Sequence, residues 1–173
     1  MYWAVQGPTM PTPLQLICTD FDGTLHSDFT EPPVPYALQT KLAQQQAQGA
    51  TWVINTGRTL DDLRLGINHA ELTVHPDYVV VVEREIFRCV EHGYEPLTDW
   101  NARCTRTQSA LFASIADRLP ELFDWVNLHF SANVFEDEWS PFCLIARNNR
   151  DADAIQEYVD AFFAGDSQLT CVR

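Results

Sequence analysis

The chain has 173 residues, 46% of them apolar, and carries 24 acidic against 11 basic side chains, for a net charge of −13. That apolar share supports a packed core and excludes wholesale disorder, while the length limits the chain to one domain, or one domain plus a small module. The acidic balance excludes general binding to nucleic acid or anionic membranes, which needs clustered Lys and Arg, but not a small phosphorylated substrate whose charge a divalent cation can offset.

Residues 1–13 hold three prolines and no periodicity, so a loose N-terminal tail is expected. Leu14-Gln-Leu-Ile-Cys-Thr-Asp20 is a short apolar run that stops at an acidic loop; it reads as a strand buried on both faces, as in a parallel sheet. Residues 25–35 are polar and proline-rich and read as a loop. Tyr36 to Gln48 reads as a helix, with Gly49 as its stop. Thr51 to Asn55 is a second buried strand, Thr56-Gly57-Arg58 a turn, and Thr59 the cap of a helix running to about Ala70. Asp77 to Val82 is a third strand. This β-α-β-α-β order predicts an α/β fold with a partial doubly wound parallel sheet.

The rhythm changes after Val82. Glu85 to Val90 reads as a strand followed by a turn at His92-Gly93. Gln108 to Leu119 reads as an amphipathic helix that Pro120 ends. Val126 to Phe130 and Phe142 to Arg147 read as strands. Asp151 to Ala164 is a helix with Ile155, Tyr158, Val159, Phe162 and Phe163 at helical spacing, and Gln168 to Val172 is a last strand-like run. The expected division is a tail over 1–13, a core over 14–88, and an α+β module over 89–173. The five cysteines, Cys18, Cys89, Cys104, Cys143 and Cys171, are dispersed and form no Cys-x-x-Cys pair. They read as reduced, mostly buried thiols of a cytoplasmic protein. No run approaches the ~20 apolar residues of a membrane span, and no signal-peptide pattern opens the chain.

The chemistry concentrates in Asp20-Phe-Asp-Gly-Thr-Leu25. Ligands of open α/β sheets bind at the carboxyl ends of strands. There Asp20 and Asp22 stand two residues apart, a carboxylate pair that would attract Mg²⁺ through oxygen ligands. Asp20, held at the strand end, is the candidate nucleophile on phosphorus, forming an aspartyl-phosphate. Asp22 is the candidate acid that protonates the leaving oxygen and then activates water. Both are candidate metal residues. Gly23 permits a tight turn that brings backbone N–H groups near a phosphate. A hydroxyl and N–H groups at the end of the next strand can bind the same phosphate. Gly23, Thr24, Thr56, Gly57 and Arg58 are therefore the candidate phosphate-binding residues. Arg58 can alternatively form a salt bridge with Asp61 or Asp62.

Leu16 to Leu25 resembles the first motif of the haloacid dehalogenase-like phosphatases, and Val53-Ile-Asn-Thr56-Gly57-Arg58 resembles the second, in which Thr56 would hydrogen-bond the transferring phosphoryl group. The resemblance implies a Mg²⁺-dependent phosphatase of small phosphorylated metabolites. A module after the third strand resembles the members with an α+β cap there, the sucrose-phosphate phosphatase-like branch, although a glycine expected near Glu83 or Arg84 is absent. The family's later lysine and acidic Gly-Asp motif have no clear counterpart. Lys41, the single lysine, precedes the second motif, and Gly165-Asp166 follows a helix. The expectation is a chain that stops before those motifs, with impaired turnover, and an unpaired edge at Leu14 to Thr19 through which it forms a homodimer. The alternative is a non-catalytic binding or interaction module on the same fold.

Overall fold

The computed structural model describes residues 13–166. Apart from Pro13, the expected N-terminal tail lies outside the described residues, as do the run Gln168 to Val172 and Cys171. The chain divides into two compact units, residues 1–104 and 105–173.

In the first unit, β1 (Leu16–Thr19), β2 (Thr51–Asn55), β3 (Tyr78–Val81), β4 (Glu85–Val90) and β5 (Gly93–Pro96) form one sheet in that order. The first three strands are parallel, with Thr19 opposite Ile54 and Ile54 opposite Val79. The connections are α1 (Tyr36–Ala47) and α2 (Leu60–His69). Strands that follow one another in sequence order through right-handed crossovers put both helices on the same face of the sheet. The core follows this rule. Trp52, Ile54, Val79 and Val81 are all buried against Leu42 of α1 and Leu63 and Ile67 of α2. On the opposite face Leu16 is 58% exposed, Cys18 is exposed, and Val53, Tyr78 and Val80 are only half-buried. The expectation that Leu14 to Asp20 is buried on both faces is thereby corrected: helices cover one face only.

Thr59 caps α2 as expected, its hydroxyl accepting from the Asp62 N–H at 3.2 Å. Asp61 and Asp62 stand in the first turn, where the helix dipole favours negative charge. Gly49 follows α1 at φ +97°.

The β3–β4 connection holds two side-chain-bearing residues at positive φ, Val82 at 44° and Glu83 at 59°. β4 pairs antiparallel with β3 and β5 with β4. The Asn101 amide extends the hairpin, accepting from the Ile86 N–H at 2.9 Å and donating to its carbonyl at 3.0 Å. This pairing carries the first unit to residue 104, past the boundary expected after residue 88.

The divide between units falls within α3 (Thr98–Ile115). The second unit continues with a 3-10 turn (Ala116–Arg118), α4 (Leu119–His129), β6 (Asn133–Phe135), β7 (Cys143–Ile145) and α5 (Asn149–Phe162). β6 and β7 form an antiparallel pair. Leu122, Val126, Ile155 and Val159 make the buried core of this unit, and Trp125 stacks on Tyr158 at 3.5 Å between ring centres. Asn148 caps α5 by accepting from the Asp151 N–H at 3.0 Å. Two expectations fail here. The helix expected over Gln108 to Leu119 begins ten residues earlier and ends at Ile115, and the strand expected over Val126 to Phe130 lies mostly within α4. Pro120 opens α4, because in a first helical turn its missing N–H has no partner to lose. None of the four described cysteines is fully buried, against the expectation. Among the described residues no helix is long and apolar enough to cross a membrane.

Candidate active site

The register of β1 on β2 lets the loops after Thr19 and after Asn55 leave adjacent strand ends on the same side of the sheet. The first loop is anchored by its apolar residues: Phe21, Leu25 and His26 are buried. It closes on itself, the Leu25 and His26 N–H groups donating to the Phe21 carbonyl at 3.1 and 2.8 Å and the Gly23 N–H to the His26 carbonyl at 2.9 Å. Gly23 adopts φ +69°, the left-handed conformation that the turn requires.

Asp20 stands exposed at the end of β1. One carboxylate oxygen accepts from the Phe21 N–H at 2.7 Å, and the other from the Thr24 hydroxyl at 3.4 Å. The carboxylate is oriented yet open to solvent, as a nucleophile must be. Asp22 is held differently. Arg58 Nε donates to one of its oxygens at 2.8 Å and Arg58 Nη2 to the other at 2.6 Å. This two-pronged pair joins the first loop to the second, and Arg58 lies over the Phe21 ring, 5.1 Å from its centre. The bond to Arg58 keeps the Asp22 carboxyl below the usual carboxylate range, more than its slight burial opposes, and the Arg58 charge adds to it; the same bond raises Arg58. The pairing of Arg58 with Asp61 or Asp62 that its position on the chain suggested is replaced by this longer-range one; from Asp62 it reaches only the backbone carbonyl, at 3.3 Å.

Thr56 is buried, and its hydroxyl accepts from the Arg58 N–H at 3.2 Å, shaping the second loop while leaving its O–H to donate. Its carbonyl accepts from the Glu83 N–H at 3.1 Å, and the Arg58 carbonyl from the Val82 N–H at 2.9 Å. The two left-handed residues of the β3–β4 turn therefore brace the Thr56–Arg58 loop from the third strand end.

Sequence reading overlooked several contributors. Gly66, on α2, faces Arg58 and Phe21: a Cβ there would lie 2.7 Å from Arg58 Nη1 and 2.8 Å from the Phe21 ring. The signal was a lone glycine inside a helical stretch. His26 stacks on Phe21 at 5.2 Å, and its Nε2 is buried without a hydrogen-bond partner among the described residues.

The donors for Mg²⁺ are few. Among the described residues no three His, Cys, Asp or Glu side chains converge as a metal cluster. Both oxygens of Asp22 are engaged by Arg58, so in this arrangement its carboxylate is not a ligand. Asp20 alone offers an exposed carboxylate. A single carboxylate fits Mg²⁺ only in the manner in which that ion keeps several waters and shares a substrate phosphate.

No protein-family model matches the chain, and no curated protein matches its sequence. Solved structures similar to this chain include haloacid dehalogenase-like hydrolases. One is the yhjK protein of Bacillus subtilis, described as such a hydrolase, at 16% identity and a TM-score of 0.49, over 89% of this chain and 57% of that one. Another is the sucrose-phosphatase of Synechocystis, solved with sucrose and phosphate, at 14% identity and a TM-score of 0.49, over 86% of this chain and 56% of that one. A third is BT1666 of Bacteroides thetaiotaomicron, described among phosphatases of that superfamily, at 15% identity and a TM-score of 0.43, over 97% and 78%. This chain spans somewhat more than half the length of the first two.

Proposed function

We propose that this chain is a phosphohydrolase of small phosphorylated metabolites, with sugar phosphates as the first class to examine, and that Asp20 forms an aspartyl-phosphate. The observation that carries the reading is the contrast between two carboxylates two residues apart: Asp20 oriented and open at a parallel strand end, Asp22 fastened to a cation from the neighbouring loop. An Asp20 oxygen attacks phosphorus and the ester P–O bond breaks. The departing oxygen takes a proton from Asp22, and water, giving its proton back to Asp22, then releases phosphate and restores Asp20. Asp22 can carry that proton only when Arg58 lets go of it. A substrate phosphate offers Arg58 a second anion of matching geometry. Thr24, Thr56 and the N–H groups around Gly23 and Gly57 are the further donors. Mg²⁺, held by the Asp20 carboxylate and the Asp22 backbone carbonyl, would offset the repulsion between nucleophile and phosphate. A cytoplasmic location goes with this reading.

The Asp22–Arg58 pair favours one other reading, a module that binds phosphate without turning it over, because an acid kept ionised has no proton to give. Hydrolysis of 4-nitrophenyl phosphate decides between them. The expected result is slow, Mg²⁺-dependent release of nitrophenol that Asp20→Asn abolishes, since an amide cannot attack phosphorus. Full activity in Asp20→Asn would remove Asp20 as the nucleophile. Phosphate binding with no hydrolysis would support the second reading.

A further inference from the structure

The sheet of the first unit has an open edge. β1 pairs with β2 on one side, and no described strand pairs with it on the other. Its outward-facing apolar residues are uncovered, with Leu14 at 51% and Leu16 at 58% exposure. Long apolar edges of this kind are templates for pairing with another strand, and proteins that stay monomeric blunt them with Lys, Pro or a bulge. Leu14 to Thr19 contains none of these and no charge at all.

The charge pattern says which strand suits the edge. All 24 acidic residues lie outside two stretches: none precedes Asp20, and none falls between residues 32 and 60. The second stretch includes α1, which carries the crossover from β1 and exposes Tyr36 and Leu38, with Lys41 as its single charge. On a chain of net charge −13 a basic partner is drawn to the acidic remainder, and an acidic partner is repelled by it. The edge itself calls for an uncharged, apolar, extended segment, and β1 is one.

We infer that two copies of this chain pair β1 against β1 in antiparallel fashion about a two-fold axis, joining their sheets into one across an acid-free contact. A two-fold contact uses the same patch on both copies, so the one edge supplies both halves. It also brings together the stretches where like-charge repulsion between copies is least. The inference is independent of the phosphohydrolase reading, since it uses no residue of the Asp20 site.

Sedimentation and light scattering of the full chain at micromolar concentration test it. The expected mass is twice the 19.7 kDa of one chain. Leu16→Lys places a charge on the edge and should weaken association by ~10-fold or more, with circular dichroism unchanged. Leu128→Lys, on α4 and 80% exposed, should leave the dimer intact. Should Leu16→Lys fail to fold, Leu14→Lys, just outside the strand, replaces it. Amide exchange at residues 15–19 should slow as concentration rises. A monomer at every concentration overturns the inference, as does a dimer that Leu16→Lys leaves unchanged or that Leu128→Lys breaks. Slow exchange at those amides in a monomer overturns it too, because the edge would then be covered from within the chain.

Discussion

Replacing Gly66 by alanine sets two effects of known size against each other. In a helix interior alanine is favoured over glycine by about 1 kcal/mol, so α2 taken alone gains. The added methyl would sit 2.7 Å from Arg58 Nη1 and 2.8 and 3.1 Å from two carbons of the Phe21 ring. Ordinary carbon contacts begin at about 3.5 Å, so the overlap is most of an ångström. Phe21 is fully buried and has no room to retreat. The Arg58 side chain is 32% exposed and can move, but only by loosening its grip on Asp22. Overpacking of this kind costs about 1–3 kcal/mol, and an ion pair this open to solvent adds no more than ~1 kcal/mol once screening is allowed for. Gly66→Ala should therefore destabilise the chain by about 1–2 kcal/mol, the helix gain offsetting only part of the clash. Urea unfolding followed by circular dichroism measures this. In an Arg58→Ala background one of the two clashes is gone, so the same substitution should cost less there, with a coupling of about 0.5 kcal/mol or more. A Gly66→Ala chain as stable as the parent, or more so, would refute the packing argument, and zero coupling would refute the part assigned to Arg58.

Other outcomes follow from the same coordinates. Glu83 is exposed at φ 59°, so Glu83→Gly should stabilise by about 0.5–1 kcal/mol, read as a raised urea midpoint. The Asp22 carboxyl is lower in the folded chain than in the unfolded one, so the stability it contributes is present above the ordinary carboxylate pKa and fades as pH falls below about 4. Arg58→Gln should accordingly lose a little stability near neutrality, and its unfolding curve should converge on that of the parent at acid pH. Burial, and then the Asp77 carboxylate, push the Cys89 thiol up to about 12. Cys89 should therefore resist thiol reagents at pH 8 in the folded chain and react once urea unfolds it.

The sequence was most legible where local signals coincide. An apolar run ending at Asp20, a glycine at 49 and a threonine at 59 each act within a few residues, and β1, the end of α1 and the cap of α2 lie where those signals put them. Asp20, Asp22 and Thr56 share adjacent strand ends because the β-α-β order dictates it. The α3–α4 region misled because Pro120 is both a helix stop and a favoured helix opener, and Val126 to Phe130 is rich in strand formers; the Leu119, Leu122 and Val126 spacing was the better guide. The partner of Arg58 was out of reach for another reason. Asp61 and Asp62 are its chain neighbours, whereas Asp22 is 36 residues away and meets it only after the sheet forms. One-sided burial of β1 was also invisible locally, since it depends on which face the crossovers take.

The strained turn at Val82 and Glu83 bears on how the first unit assembles. Its N–H groups meet the carbonyls of Arg58 and Thr56, whose loop in turn meets Asp22, so three successive strand ends are tied in the order in which they occur along the chain. Each tie closes a loop of modest length, and closure entropy grows slowly with length. Contacts of this kind favour rapid assembly. Every piece of the Asp20 site lies between residues 20 and 83, so the site can take shape during synthesis before the second unit has been made, and a substitution that unfolds α4 or α5 should leave it standing.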